Sequence, residues 1–320
     1  MKTILTIGRY FKSRFGERVR KIPISLQGFT CPNIDGTVAS GGCIYCDNES
    51  FSPSLVKIAK RSEVKMNFSL THNPLLQKQL AQLKEQFLWH AEFHKRKFGI
   101  AKYLIYFQSF TNTYAPFDTL KALYDSALGF SNVVGLSIGT RIDCVSDEVL
   151  RLLGGYVKQG KEIWLEYGIQ SVHNETLKLT NRGHSIEGAK ELFEKTRNAG
   201  VKVCAHIIYG LPKESKEMML HTLESVLSWG IDGIKIHPMY VMSGTKLAQM
   251  YKAGEYEPIN LHDYSELIIE SLERMPQNVV VQRVSAGAHE ESLLAPKWCF
   301  DKNIQMRHIR DELRKRDIEY

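Results

Sequence analysis

The sequence predicts an α/β protein whose parallel sheet curls into a partial TIM-like barrel of (β/α)6 type, followed by a C-terminal extension. Two observations predict it. From about residue 20 to 240, short β-rich runs alternate with helical patterns, and βα units in series imply a parallel sheet, open or curled. Along those strand runs, one face is polar. Side chains alternate on a strand, so Trp164, Glu166, Gly168 and Gln170 share one face while Leu165, Tyr167 and Ile169 share the other. The split recurs in Tyr106 and Gln108, in Ser137, Gly139 and Arg141, in Cys204, His206 and Ile208, and in Gly233, Lys235 and His237. A flat doubly wound sheet is covered by helices on both faces and reads apolar on both. A curved sheet lining a ligand-bearing lumen accounts better for Glu166, Arg141, Lys235 and two histidines than does mutual pairing in a packed interior.

In chain order, "MKTILTIGRYFKSRFGERVRK" is basic and acid-poor like an organellar transit peptide, but it runs unbroken into a strand-like stretch. Residues 1–30 hold seven Lys/Arg against the single acid Glu17, so almost the whole net charge of +7 is N-terminal. With Tyr10, Phe11 and Phe15 interleaved, residues 1–15 read either as a basic extension contacting tRNA or another nucleic acid, or as an amphipathic helix with a solvated basic face.

Strands are expected at 20–29, 102–109, 132–140, 162–171, 201–210 and 232–240. Between the first two, Leu76, Leu80, Leu83 and Phe87 recur at helical spacing behind Pro74, which suits a first turn. Further helices fit 116–128, 146–158, 185–199, 215–229 and 260–274. The core is therefore placed at 16–245, with residues 246–320 closing or flanking its open side. No apolar run approaches the ~18 residues of a membrane helix, and "TILTI" is too short for a secretory core. Six irregularly spaced cysteines do not resemble a secreted disulfide framework, so the chain reads as soluble and cytoplasmic, in a reducing compartment.

Three of those cysteines fall in "CPNIDGTVASGGCIYC", residues 31–46, directly after the first strand, at the edge where α/β barrels place their active sites. Gly36, Gly41 and Gly42 let the backbone curl, and Cys43 and Cys46 form a chelating pair. Structural zinc wants a fourth ligand, which only a distant residue such as Cys299 would supply. Three thiolates on a four-iron cluster instead leave one iron open to a substrate or cofactor.

With this loop, the segments "FGERVRKIPISLQGFTCPNIDGT", "GGCIYC", "YFQSFTNTYAP", "SIGTRIDC", "LEYGIQS", "NRGHS", "IYGLPKES" and "LLAPKW" resemble the radical S-adenosylmethionine (SAM) superfamily, and within it the YhcC/YtqA-like branch near the Elp3-type enzymes. The resemblance runs from about residue 15 to 298. It implies a [4Fe-4S] cluster on Cys31, Cys43 and Cys46, and SAM cleaved reductively to a 5′-deoxyadenosyl radical. It also implies a flavodoxin- or ferredoxin-type electron donor. Carried over by position, Gln108 or Ser109 would receive the SAM amino group, Glu166 and Gln170 would lie by the ribose or methionine part, and Gly210 by the adenine. Arg141 and Arg182 would meet the SAM carboxylate or an anionic substrate, and Lys235, His237 and His206 would serve proton transfer or substrate contact. Turns, surface exposure or a Glu166 bridge to Arg141 or Lys235 are the plainer roles for the same residues. Ile34 and Ile142 stand where the pattern has Arg and Pro, and the acetyltransferase domain into which Elp3 proteins continue is not expected, since this chain stops at Tyr320. The reading is of a radical SAM enzyme acting on tRNA or another nucleic acid. A radical enzyme acting on a small metabolite or a protein, or a non-catalytic metal-binding or redox-sensing module, is the alternative.

Overall fold

The structure is a computed structural model that describes residues 2–47, 64–288 and 291–320. A two-residue strand β1 (Lys2–Thr3) leads into helix α1 (Ile7–Phe15) and strand β2 (Val19–Ile24). There follow α2 (Leu76–Phe98), β3 (Lys102–Phe107), α3 (Phe117–Leu128), β4 (Val133–Thr140), α4 (Asp147–Lys158) and β5 (Glu162–Gln170). Next come α5 (Asn174–Leu179), α6 (Ala189–Asn198), β6 (Lys202–Tyr209), α7 (Lys216–Ser228), β7 (Gly233–Pro238) and β8 (Val241–Met242). The chain ends through α8 (Lys246–Lys252), α9 (Leu261–Arg274), β9 (Val280–Arg283), β10 (Leu293–Ala295), α10 (Lys302–Lys315) and β11 (Ile318–Glu319).

Seven strands form one curled parallel sheet in the order β2-β3-β4-β5-β6-β7-β9, the half-barrel that the polar strand faces predict. Its outer face carries the main core: Ile105, Leu136, Leu165 and Ile207 of the strands pack with Leu83, Leu123, Leu153, Phe193 and Leu223 of the helices. Serine hydroxyls cap α4 and α7, Ser146 accepting from Val149 N and Ser215 from Met218 N. Among the described residues, no helix is long and apolar enough to cross a membrane.

Two differences from the sequence reading have local causes. The first strand stops at Ile24 rather than running to Phe29, because glutamines of α2 take over the backbone of the next residues. Gln86 bonds Ser25 N and O at 3.1 and 2.8 Å, Gln82 accepts from Gln27 N at 3.1 Å, and Gln79 donates to Gln27 O at 2.7 Å. The other difference is a seventh parallel strand, β9, pairing with β7. At four residues it is too short for its alternation to stand out behind Pro276.

Helix α1 closes the bottom of the lumen. Phe11 is buried with Leu104, Trp164, Cys204 and Val280, so the lowest layer of the inner face is apolar. Tyr10 meets Trp164 edge-on at 5.7 Å and donates to Glu162 at 2.5 Å. The aromatic residues of the basic N-terminus are thus packing groups. Strand β1 pairs in parallel with β11, tying the start of the chain to its end.

Candidate active site

Above the apolar floor the lumen opens into a cavity of about 690 Å³, within the ~300–1,000 Å³ typical of ligand sites. It is lined by Cys31, Cys43 and Cys46 and by the polar inner-face residues of the strands.

The cysteine loop is held by its own turns and by distant segments, among them the one around Asn181. Ile34 N and Asp35 N bond Cys31 O, Cys46 N bonds Cys43 O, and Gly36, Gly41 and Gly42 all take positive φ. Ile34 packs on Gly42, so apolar contact occupies the place where a charge was expected. From "NRGHS", Asn181 Nδ2 donates to Ser40 O at 3.0 Å and Gly42 O at 2.6 Å, while Asn33 Nδ2 donates to Asn181 O at 3.1 Å. Gly183 is needed for closeness: a Cβ there would lie 3.2 Å from Asn33 Cβ.

The sulfurs are surrounded by donors. Thr111 donates to Cys31 Sγ at 3.0 Å, Asn33 to Cys43 Sγ at 3.2 Å, and Arg182 Nη1 lies 3.8 Å from Cys43 Sγ. Burial raises the Cys31 pKa against the opposing influence of Thr111 and Arg182. Burial and then the charges of Cys43 and Cys31 raise that of Cys46 well above the ordinary thiol value. The Cys31 and Cys46 thiols resist ionising, amid donors that suit thiolates, and this fits a polycationic metal group that removes the penalty. Among the described residues Cys144, Cys204 and Cys299 are buried outside the cavity lining, and no His, Cys, Asp or Glu side chains are grouped as a closed metal-ion site. The donor set at the cavity, three cysteines and no histidine of the same loop, suits an iron-sulfur cluster better than closed four-ligand zinc.

Around the loop, Tyr45, Gln108, Thr111, Gln170 and Arg182 line the cavity. Among the described residues, buried Tyr45 Oη and Arg182 Nε have no hydrogen-bond partner, which suits a polar ligand near them. Arg182 Nη2 donates to Gly168 O at 2.7 Å. Arg141 forks onto Asp143 at 2.8 and 2.7 Å and donates to Arg182 O at 2.8 Å. It positions Arg182, and these bonds use three of its five guanidinium N–H donors, leaving one on each terminal nitrogen at the cavity wall.

Two expected contacts fall elsewhere. Ser109 turns away from the cavity to share a hydrogen bond with Ser25 at 2.7 Å. Gly210, at φ 86°, lines a second cavity of about 640 Å³ and accepts from Tyr256 at 2.7 Å, so it is a turn glycine.

Deeper in the lumen sits Glu166, 1% exposed, bonded by Lys21, Lys235, Ser137 and, at 2.8 Å, His206 Nε2. Burial pushes its carboxyl up, but Lys21, Lys235 and the His206 bond outweigh that and hold it well below the usual range. The ion-pair account, with Lys235 and not Arg141, is the one this geometry carries. Burial lowers the Lys235 pKa, with Glu166 opposing. Burial and then the Lys235 charge depress His206 to about 4, so its neutral ring donates Nε2–H to Glu166. His237 is depressed by burial and then Arg283, and among the described residues its ring has no hydrogen-bond partner. Tyr106, placed on the polar face from the sequence, is in the cavity wall. Sequence reasoning missed Lys21, Thr111, Tyr45, Arg283 and Lys302. Lys21 was legible as an inner-face position of its strand, whereas Lys302 follows from tertiary folding alone.

Comparison with known proteins gives the same picture. The sequence matches the Radical SAM superfamily over residues 36–226 and the Radical SAM C-terminal domain over 231–315. Protein YhcC of Escherichia coli is 37% identical over 298 residues, 93% of this chain and 88% of that protein. The tRNA uridine(34) acetyltransferase of Methanocaldococcus infernus is 34% identical over 155 residues, 47% of this chain and 28% of that protein. The solved structure of M. infernus Elp3 superposes with a TM-score of 0.64 at 20% identity, covering 93% of this chain and 63% of that one, a likeness of fold.

Proposed function

The chain belongs to the radical SAM superfamily, and from that premise we propose that it is an enzyme holding one [4Fe-4S] cluster on Cys31, Cys43 and Cys46, with SAM in the adjoining cavity. The observation that carries this reading is that Cys31, Cys43 and Cys46, from one loop, all line the same cavity as the polar strand residues. When bound, cluster and SAM supply a one-electron reductive cleavage to a 5′-deoxyadenosyl radical, the electron coming from a flavodoxin- or ferredoxin-type donor.

The chain's own residues do the rest. Thr111, Asn33 and Arg182 stabilise negative sulfur, and Arg182 Nε with Tyr45 Oη offers polar contacts to the nucleoside. The apolar floor of Phe11 and Trp164 excludes water from below. His237, neutral and half-buried at the cavity wall, is placed to take or return a proton at its ring nitrogen. The substrate we propose is tRNA, supported by the name of the M. infernus relative.

Anaerobic reconstitution should load about four irons per chain, and SAM with reductant should release 5′-deoxyadenosine. Replacing Cys31, Cys43 and Cys46 together by alanine should abolish both. A colourless protein holding one zinc would instead support a metal-binding module.

A further inference from the structure

Five Lys and Arg residues line the main cavity, and three have partners. Arg141 forks onto Asp143, Lys235 pairs with Glu166, and Arg182 faces Cys43. Arg283, ending β9, and Lys302, opening α10, line the same wall, and among the described residues neither has an ion-pair or hydrogen-bond partner. Glu166, the one carboxylate among the described lining residues, is already saturated. Arg283 is half-buried and Lys302 stands at the exposed mouth of the same wall, and two like charges with no carboxylate of the described lining between them repel each other and favour an anion there. The Lys302 pKa is lowered by burial and then by Arg283, the mark of that repulsion.

The pair is also held in place. Arg283 sits opposite Lys235 in the β7–β9 ladder. Gln305 clamps the connecting loop, accepting from Ala286 N at 3.3 Å and donating to Ala286 O at 2.7 Å. The Lys302 stem crosses Gly287 so closely that a Cβ there would lie 2.7 Å from Lys302 Cε.

We infer that Arg283 and Lys302, with His237 beside them, form a subsite for the phosphate of a phosphorylated substrate, on the β7–β9 side of the lumen. A guanidinium fork plus an ammonium matches the charge and oxygen count of a phosphate better than a single carboxylate. This rests on the lumen being the reaction chamber and names the substrate class; a nucleotide of RNA and a small phosphorylated metabolite share the chemistry.

The test is calorimetric titration of anaerobically reconstituted protein with inorganic phosphate, uridine 5′-monophosphate and ribose 5-phosphate. All should bind, and Arg283→Gln with Lys302→Gln should weaken each at least tenfold. Lys158→Gln on outer helix α4 should leave affinity unchanged. Lys302→Gln alone, at an exposed first helical residue, guards against misfolding and should still weaken binding at least threefold. Tighter binding of uridine 5′-monophosphate than of ribose 5-phosphate assigns the phosphate to a nucleotide, and equal binding to a sugar phosphate; either supports the subsite. No binding by the parent, or equal affinities in parent and variants, overturns it. Release of 5′-deoxyadenosine is read from the same samples. Release without phosphate binding sinks the subsite alone, while variant-sensitive binding without release sinks the radical reading and leaves the subsite standing.

Discussion

At the scale of single residues, the lumen is organised by one carboxylate. Glu166 is buried under four bonded groups, and removing its charge strands Lys21 and Lys235 in a poorly solvated interior. Breaking a buried pair on one side costs about 3–5 kcal/mol, so Glu166→Gln should lower the urea midpoint at pH 7 accordingly. The pH dependence has a defined sign. The folded carboxyl sits well below its ordinary value, so its stabilisation is full above about pH 4.3 and is lost as pH falls through the depressed folded value. Glutamine does not titrate, so the variant's stability should fall less steeply below about pH 4. A variant as stable as the parent at pH 7 would mean that Lys21 and Lys235 find water or other partners.

Among the elements, the sheet depends on close backbone approach as much as on side chains. Gly135 of β4 lies against β5, and a Cβ there would come within 1.8 Å of the Glu162 carbonyl oxygen. That atom is backbone and cannot swing aside, so Gly135→Ala must spread or reregister the strands. It should cost about 3 kcal/mol or more, above the usual range for overpacking, and circular dichroism melting would show it. An alanine variant melting with the parent would show that β4 and β5 part freely. Such constraints mark what the sequence leaves hidden. The inner faces were legible because period-2 alternation set Tyr106, Gln108, Glu166, Gly168, Gln170, His206, Lys235 and His237 apart from their apolar neighbours, and all of these line the cavity. The cysteine triad was legible from spacing within one loop. Arg283 and Lys302 were not, because a short seventh strand and a distant helix bring them to the same wall. Ser109 lies outside the cavity lining because the strand-end turn, with Phe110 at positive φ, points it to Ser25, and Thr111 reaches the cavity there.

For the whole molecule, the basic N-terminus poses the question that sequence alone left open. The folded chain engages four of those seven charges itself. Arg9 pairs with Glu319 at 2.7 Å, Arg14 approaches Glu162 at 3.7 Å, Lys2 donates to Glu273 O at 2.6 Å, and Lys21 enters the lumen. Helix α1 is thereby fastened to the C-terminal strand as well as to the barrel floor. On the tRNA reading, phosphate contacts made by Arg9 and Arg14 would each contribute about one to the slope of log affinity against log salt. Because both arginines already face carboxylates of the folded chain, Arg9→Gln with Arg14→Gln should instead leave that slope unchanged in fluorescence titrations of tRNA. The same double change should lower the unfolding free energy by the ~0.2–1 kcal/mol typical of each exposed pair, read from a urea titration. A slope reduced by about two with unchanged stability would return these arginines to the nucleic acid and make α1 a docking element as well as a plug.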